Sequence, residues 1–151
     1  MSTERLYATK RQSIINALAN KLKLINGTGN YLTNMNGNVL PRLKFWDEIE
    51  EFPAIHLNAG TETVAYLGGG YKDRFLEVTV RCYVNQEDAV KALDELLEDV
   101  ETVVEENSVL PFTDKLGATK CTHQISVVSI TTDEGVLEPI GVGEILLEVQ
   151  Y

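Results

Sequence analysis

The sequence predicts an α+β domain: a largely antiparallel β-sheet with two α-helices packed on one face, in the order α-β-β-β-α-β-β. Three patterns carry that expectation. Residues 73–84 alternate, with Leu76, Val78, Val80, Cys82 and Val84 on one face and Glu77, Thr79, Arg81 and Tyr83 on the other. One buried and one wetter face is the mark of an antiparallel sheet. Residues 86–106 repeat Ala89, Leu93, Leu96, Leu97, Val100, Val103 and Val104 at helical spacing. Residues 3–25 do the same through Leu6, Ile14, Ile15, Leu18, Leu22 and Ile25, while Lys10, Arg11, Lys21 and Lys23 take other faces.

The first helix is expected from about Thr3 to Ile25, with Ser2 or Thr3 capping its start and Asn26-Gly27 a left-handed C-cap. Residues 26–38, rich in Gly and Asn, read as a loop. VLPRLKF (39–45) reads as an edge strand interrupted by Pro41, and WDEIEE (46–51) as one helical turn. PAIHLNA (53–59) and ETVAYL (62–67) read as two strands, and Gly68-Gly69-Gly70 breaks the pattern before the long alternating strand. The second helix spans about Gln86–Glu106 with Asn85 as its cap, and its outer face is almost entirely acidic. Residues 107–118 form a connecting loop, and strands at about 120–131 and 141–151 close the chain. No repeat of solenoid period and no low-complexity tract occurs, so residues 1–151 form a single domain, long enough to bury an independent core.

Composition narrows the function. A hydrophobic fraction of 44% with 24% charged residues is that of a folded globular chain. No apolar run approaches the roughly 20 residues that a membrane-spanning helix needs. The start, MSTERLYATKRQ, lacks a signal-peptide core, so the expectation is a chain made and folded in a cytosol, with Cys82 and Cys121 reduced. A net charge of −10 argues against a nucleic-acid-binding basic surface. That charge is uneven: residues 4–23 hold five bases and one acid, whereas residues 87–106 hold nine acids and one base. Two surfaces of opposite sign can steer copies of the chain together; the simpler account is two solvated helix faces.

Candidate chemistry is sparse. Asp133 and Glu134 follow a β-branched run, and paired carboxylates can cleave a glycosidic bond or hold a metal. Neighbouring turn residues diverge, however, and Gly135 supplies the positive φ of a hairpin tip. Cys121 and His123 share a strand face, and with Cys82 could make a zinc site, but Ile125 and Val127 continue that face as core. His56, between Ile55 and Leu57, reads as a sheet-surface histidine without a nucleophile or base partner. Gly27-Thr28-Gly29 is too short for a phosphate-binding fingerprint, and the acidic helix lacks the spaced ligands of a calcium loop. No active site and no cofactor are expected.

An ordered set of short motifs is more telling. It runs L-x-x-I-N-G at the end of the first helix, G-N-Y-x-T-N-x-x-G-x-V, F-P-A-I at 52–55, R-F-L-E-V-T-V at 74–80, the acidic helix, I-T-T-D-E-G at 130–135, and a last strand ending in Tyr151. Over essentially its whole length the chain resembles the tail terminator (tail completion) proteins of long-tailed bacteriophages, the lambda-type family. That resemblance implies a structural α+β protein without catalytic residues, forming a hexameric ring that caps the tail tube, ends its polymerisation and offers a docking surface to the head and neck. It implies a place in the virion at the head-proximal end of the tail, and a channel through which DNA passes without specific binding. A neck or head-closure ring protein and a small non-enzymatic binding module are the alternatives. Charged and aromatic candidates for subunit and partner contacts are Arg5, Lys10, Arg11, Tyr31, Arg74, Arg81, Glu98, Asp99, Glu105, Asp133 and Glu134.

Overall fold

The structure, a computed structural model, describes residues 9–44 and 46–151. Helix α1 (Lys10–Leu22) starts at a capping box: the Thr9 hydroxyl accepts from the Gln12 amide at 3.2 Å, and the Gln12 side chain accepts from the Thr9 amide. The helix is therefore shorter at its N-terminus than the apolar spacing suggested. The expected caps Ser2 and Thr3, with Leu6 and Arg5, lie outside the described residues. It also ends early, at Lys23 and not at Asn26-Gly27. The amides of Leu24 and Ile25 bond three residues back, to Lys21 and Leu22, at 3.1 Å each. That tight exit keeps Ile25 in the core, where its carbonyl accepts the Met35 amide at 3.1 Å.

A two-residue strand β1 (Val39–Leu40) stops at Pro41, which has no amide to extend the ladder. After a 3-10 turn at Trp46–Glu48 come β2 (Ala54–Tyr66) and β3 (Lys72–Asn85). The two strands expected at 53–59 and 62–67 are one. A bulge between Ala59 and Glu62 absorbs one extra residue, so Gly60 bends the ladder without ending it. Helix α2 (Ala89–Glu106) is capped by Asp88, whose carboxylate accepts the Lys91 amide at 3.2 Å. Asn85, the expected cap, still pairs with Ile140 as the last residue of β3.

The expected loop at 107–118 contains β4 (Pro111–Thr113), which pairs with β5 (Thr119–Cys121) in a small ribbon. The strand expected at 120–131 is thus divided, and β6 (Gln124–Thr132) begins after a break. Buried Thr122 makes the break: its hydroxyl accepts the Leu110 amide at 2.8 Å and donates to the Ser108 carbonyl. Strand β7 (Ile140–Gln150) returns along β6.

The main sheet has the order β1-β2-β3-β7-β6, antiparallel except for the β1–β2 pair. Leu76, Val78, Val80 and Cys82 of β3 oppose Val149, Leu147, Ile145 and Gly143 of β7, and their inner faces are fully buried beneath the helices. Burial of each such aliphatic side chain stabilises by about 1.5–3 kcal/mol. Two glycines let α2 lie close to β7. A Cβ at Gly143 would meet Leu93 and Leu97 at 3.1 Å, and one at Gly141 would meet the Ala89 carbonyl at 3.2 Å. No helix among the described residues is long and apolar enough to cross a membrane.

Candidate functional site

Helix α2 divides its acids between two environments. Asp94, Glu98 and Glu105 point to solvent, with Glu101 half-buried, and these four recur at helical spacing as one stripe. Asp99, expected on the same outer face, is 1% exposed. Its carboxylate accepts the Leu32 amide at 2.9 and 3.1 Å and the Thr33 amide at 2.7 Å, and so ties the 26–38 loop to the helix. Tyr31 packs half-buried against the core beside it. Burial, then the charges of Glu106 and Asp99, push the Tyr31 hydroxyl pKa up.

The bulge in β2 changes which side chains face the helix side of the sheet. Before it, Ile55 and Leu57 point inward; after it, Glu62 does, opposite Leu76. Glu62 forms an ion pair with Arg74 at 3.0 Å and accepts from the Tyr151 hydroxyl. Burial and then Glu62 push that hydroxyl up to about 12, so it remains a donor. Arg11 reaches the neighbouring Gly60 carbonyl from α1. Alongside lies an open cleft of about 540 Å³ lined by Lys10, Tyr71, Lys72, Arg74, Lys120 and His123, with Phe112 set edge-on to Tyr151 at 5.9 Å. Among the described residues no Asp or Glu side chain lines it.

The outer face of the sheet is acidic. Glu77 stands directly opposite Glu148, a like-charge pairing that costs stability, while Arg81 bonds Glu144 across the strands at 3.2 Å. His56 shares this face but is not the surface histidine expected from its alternation. It is 1% exposed, because the chain at 42–44 folds over it. Its Nδ1 accepts the Lys44 amide at 3.3 Å, and the Tyr83 hydroxyl donates to the Lys44 carbonyl at 3.1 Å. Burial first, then the charges of Lys44 and Arg42, hold the His56 pKa down.

Asp133 and Glu134 sit where β6 turns into β7. The Asp133 carboxylate accepts the Leu137 amide at 3.2 Å, and Glu134 and Gly135 take φ of +56° and +84°. The two acids do not converge: one closes the turn and the other is exposed. The tip rests on α2, where a Cβ at Gly135 would meet Val90 at 3.1 Å, and it leaves Val136 82% exposed. Cys82 is buried in the core, its thiol pushed up to about 12, while Cys121 is exposed on the ribbon. Among the described residues no group of three or more His, Cys, Asp or Glu side chains is placed to hold a metal ion.

Comparison with known proteins gives this arrangement its context. Residues 8–151 match the family model described as Bacteriophage Tail Tube Terminator Protein. The chain belongs to that family. It is 34% identical over 150 residues to Tail tube terminator protein p142 of Escherichia phage T5, covering 93% of this chain and 92% of that one. A chain from the virion of a native gene transfer agent particle shares the fold, with a TM-score of 0.54 at 8% identity, covering 91% of this chain and 93% of that chain.

Within this terminator-family chain the sequence-selected residues fall into separate places. Lys10 and Arg74 meet at the cleft, with Arg11 close by; Glu98 and Glu105 lie on the acidic stripe, Arg81 on the outer sheet face, and Asp133 and Glu134 at the hairpin. Lys72, Lys120 and His123 were missed as cleft residues, and so was the Glu62–Tyr151 pair. The bulge is what brings Glu62 inward, and no local turn signal stronger than Gly60 marks it.

Proposed function

We propose that the chain is a non-enzymatic structural protein of a phage virion that forms a homo-oligomeric, hexameric ring on the head-proximal end of the tail tube. There it ends tube polymerisation and presents its other face to the neck or head-completion proteins. The observation that carries this reading is the match of residues 8–151 to the tail tube terminator family. Assembly takes place in the host cytoplasm, and neither a cofactor nor a membrane takes part.

The acidic outer sheet face supports a lumen-facing position for Glu77, Glu144 and Glu148. Phosphate binding needs bases, so a wall of this sign lets DNA pass without being held. The hairpin tip, with Asp133, Glu134 and exposed Val136, is the reach-across element toward a neighbour or the tube. Arg5, outside the described residues, is a further candidate contact.

The test is direct. Tail tubes made without the protein are mixed with it and their ends imaged in negative stain. Rings on one end only, with tubes held at fixed length, are the expected result. Bare ends at high protein concentration overturn the reading and favour a neck ring protein, or a monomeric binding module if the chain also sediments as a monomer.

A further inference from the structure

The cleft at the end of the sheet and the acidic stripe of α2 are charge complements within one chain. Lys10, Lys72, Arg74, Lys120 and His123 face a common space. Arg74 is matched by Glu62 and Lys120 by Asp114 at 3.7 Å, whereas among the described residues no carboxylate forms an ion pair with Lys10 or Lys72. Lys72 instead lies 5.1 Å over the Tyr66 ring at the hairpin tip. On α2, Asp94, Glu98, Glu101 and Glu105 repeat every three or four residues over about 16 Å. None of them forms an ion pair within 4.0 Å among the described residues. Like charges at that spacing weaken a helix, so the stripe carries a cost with no return inside the chain.

We propose that the carboxylate stripe of α2 in one copy docks into the basic cleft of a second copy, giving a head-to-tail contact. A heterologous contact of this kind closes into a ring when its rotation permits. It also answers a difficulty of the composition: at net charge −10 copies repel on average, so association needs a local patch of opposite sign. Buried Phe112 and half-buried Tyr151 give the cleft an apolar lining, and low-dielectric surface strengthens ion pairs above what fully exposed pairs give. The pairing rests on the ring reading above and names the surfaces that would make the ring.

Two charge-reversed chains test it. One carries Lys10→Glu and Lys72→Glu, the other Glu98→Lys and Glu101→Lys, and circular dichroism establishes that each is folded. Alone, each needs roughly tenfold or more additional protein to cap tube ends, since both patches then carry one sign. Mixed in equal amounts they regain wild-type capping, because each altered patch meets its opposite on the other chain. A covalent readout accompanies this. Glu98→Cys, treated with a short bis-maleimide, joins to the native Cys121 of the next copy and gives a ladder of multimers that Cys121→Ser abolishes. Buried Cys82 stays inert.

Capping by either variant at wild-type concentration overturns the docking and leaves the terminator reading standing. Loss of capping in both without recovery on mixing overturns the choice of occupant. If the wild-type chain caps no tubes, the terminator reading falls. The docking is then decided by sedimentation of the equal mixture, where association of the mixture alone supports it and a monomeric mixture overturns it.

Discussion

The 26–38 loop and the 133–139 turn are both built from residues that favour turns, and in the sequence both look like arms free to reach a neighbour. Their hydrogen bonds separate them. The first is held by a carboxylate from another element, Asp99, through the amides of Leu32 and Thr33, and by Asn30 donating to Glu106. The second is closed by its own atoms, the Val136 and Leu137 amides donating to Asp133 and the Glu138 amide to Gly135, and is tied outside the hairpin by the Gln86 amide donating to the Pro139 carbonyl at 2.9 Å. It exposes Val136 and Leu137. A loop whose backbone is satisfied from outside is part of the domain; one that satisfies itself can present side chains to a partner.

Asp99→Ala is the strongest way to break this contrast. It leaves two amides without their charged acceptor and is expected to cost about 2–4 kcal/mol, read as a fall in the urea midpoint. Amide exchange at Leu32 and Thr33 should accelerate while the 133–139 amides are unaffected. Asp99→Asn retains one acceptor oxygen and should cost about half as much.

Gly135→Ala acts on the other loop. It places a Cβ at φ +84° and 3.1 Å from Val90, with an expected cost of about 1–2 kcal/mol. Val90→Ala in the same chain removes the clash but not the backbone strain, so only part of the loss should return in thermal unfolding.

The pair Asp133→Ala and Glu134→Ala is milder for the fold, about 1 kcal/mol from the lost turn acceptor. Its informative readout is capping. Tubes that are capped normally by this variant would remove the hairpin acids from the contact surface.

The smallest effect distinguishes the loops by pH. Folding raises the Tyr31 pKa, so its contribution is present in full below the unfolded value of about 10 and is lost as pH rises through the folded value. Above pH 10 the 26–38 loop should loosen before the hairpin does. Tyr31→Phe, followed by amide exchange at alkaline pH, should remove that step.

What the sequence made legible follows from periodicity. The alternation of β3 and the apolar stripe of α2 gave both elements within a few residues, because each is a regular run with one buried face. Strand β4 was invisible, since a three-residue strand carries no period, and β5 was read as the start of β6. His56 was placed on the correct face, but burial there comes from a segment distant in sequence, which alternation does not reveal. Asp99 could have been found. It lies three residues after Leu96 and four before Val103, on the spacing of the buried stripe, and an acid there signals a bound backbone rather than solvent. The cleft was only half legible. Lys10 and Arg74 were singled out for their charge, but their meeting depends on which ends of β3, β6 and β7 adjoin.

The bulge at Ala59–Glu62 also divides one strand into two halves of different chemistry. Because one added residue shifts the alternation, the helix-facing side of β2 is apolar before the bulge, in Ile55 and Leu57, and mixed after it, in Glu62, Val64 and Tyr66. Loss of Gly60 alone would straighten the ladder and leave Glu62, then two positions past Ala59, on the same face against Arg74 and Tyr151. One residue of slack is thus the joint between a core half and a mixed half of the same strand.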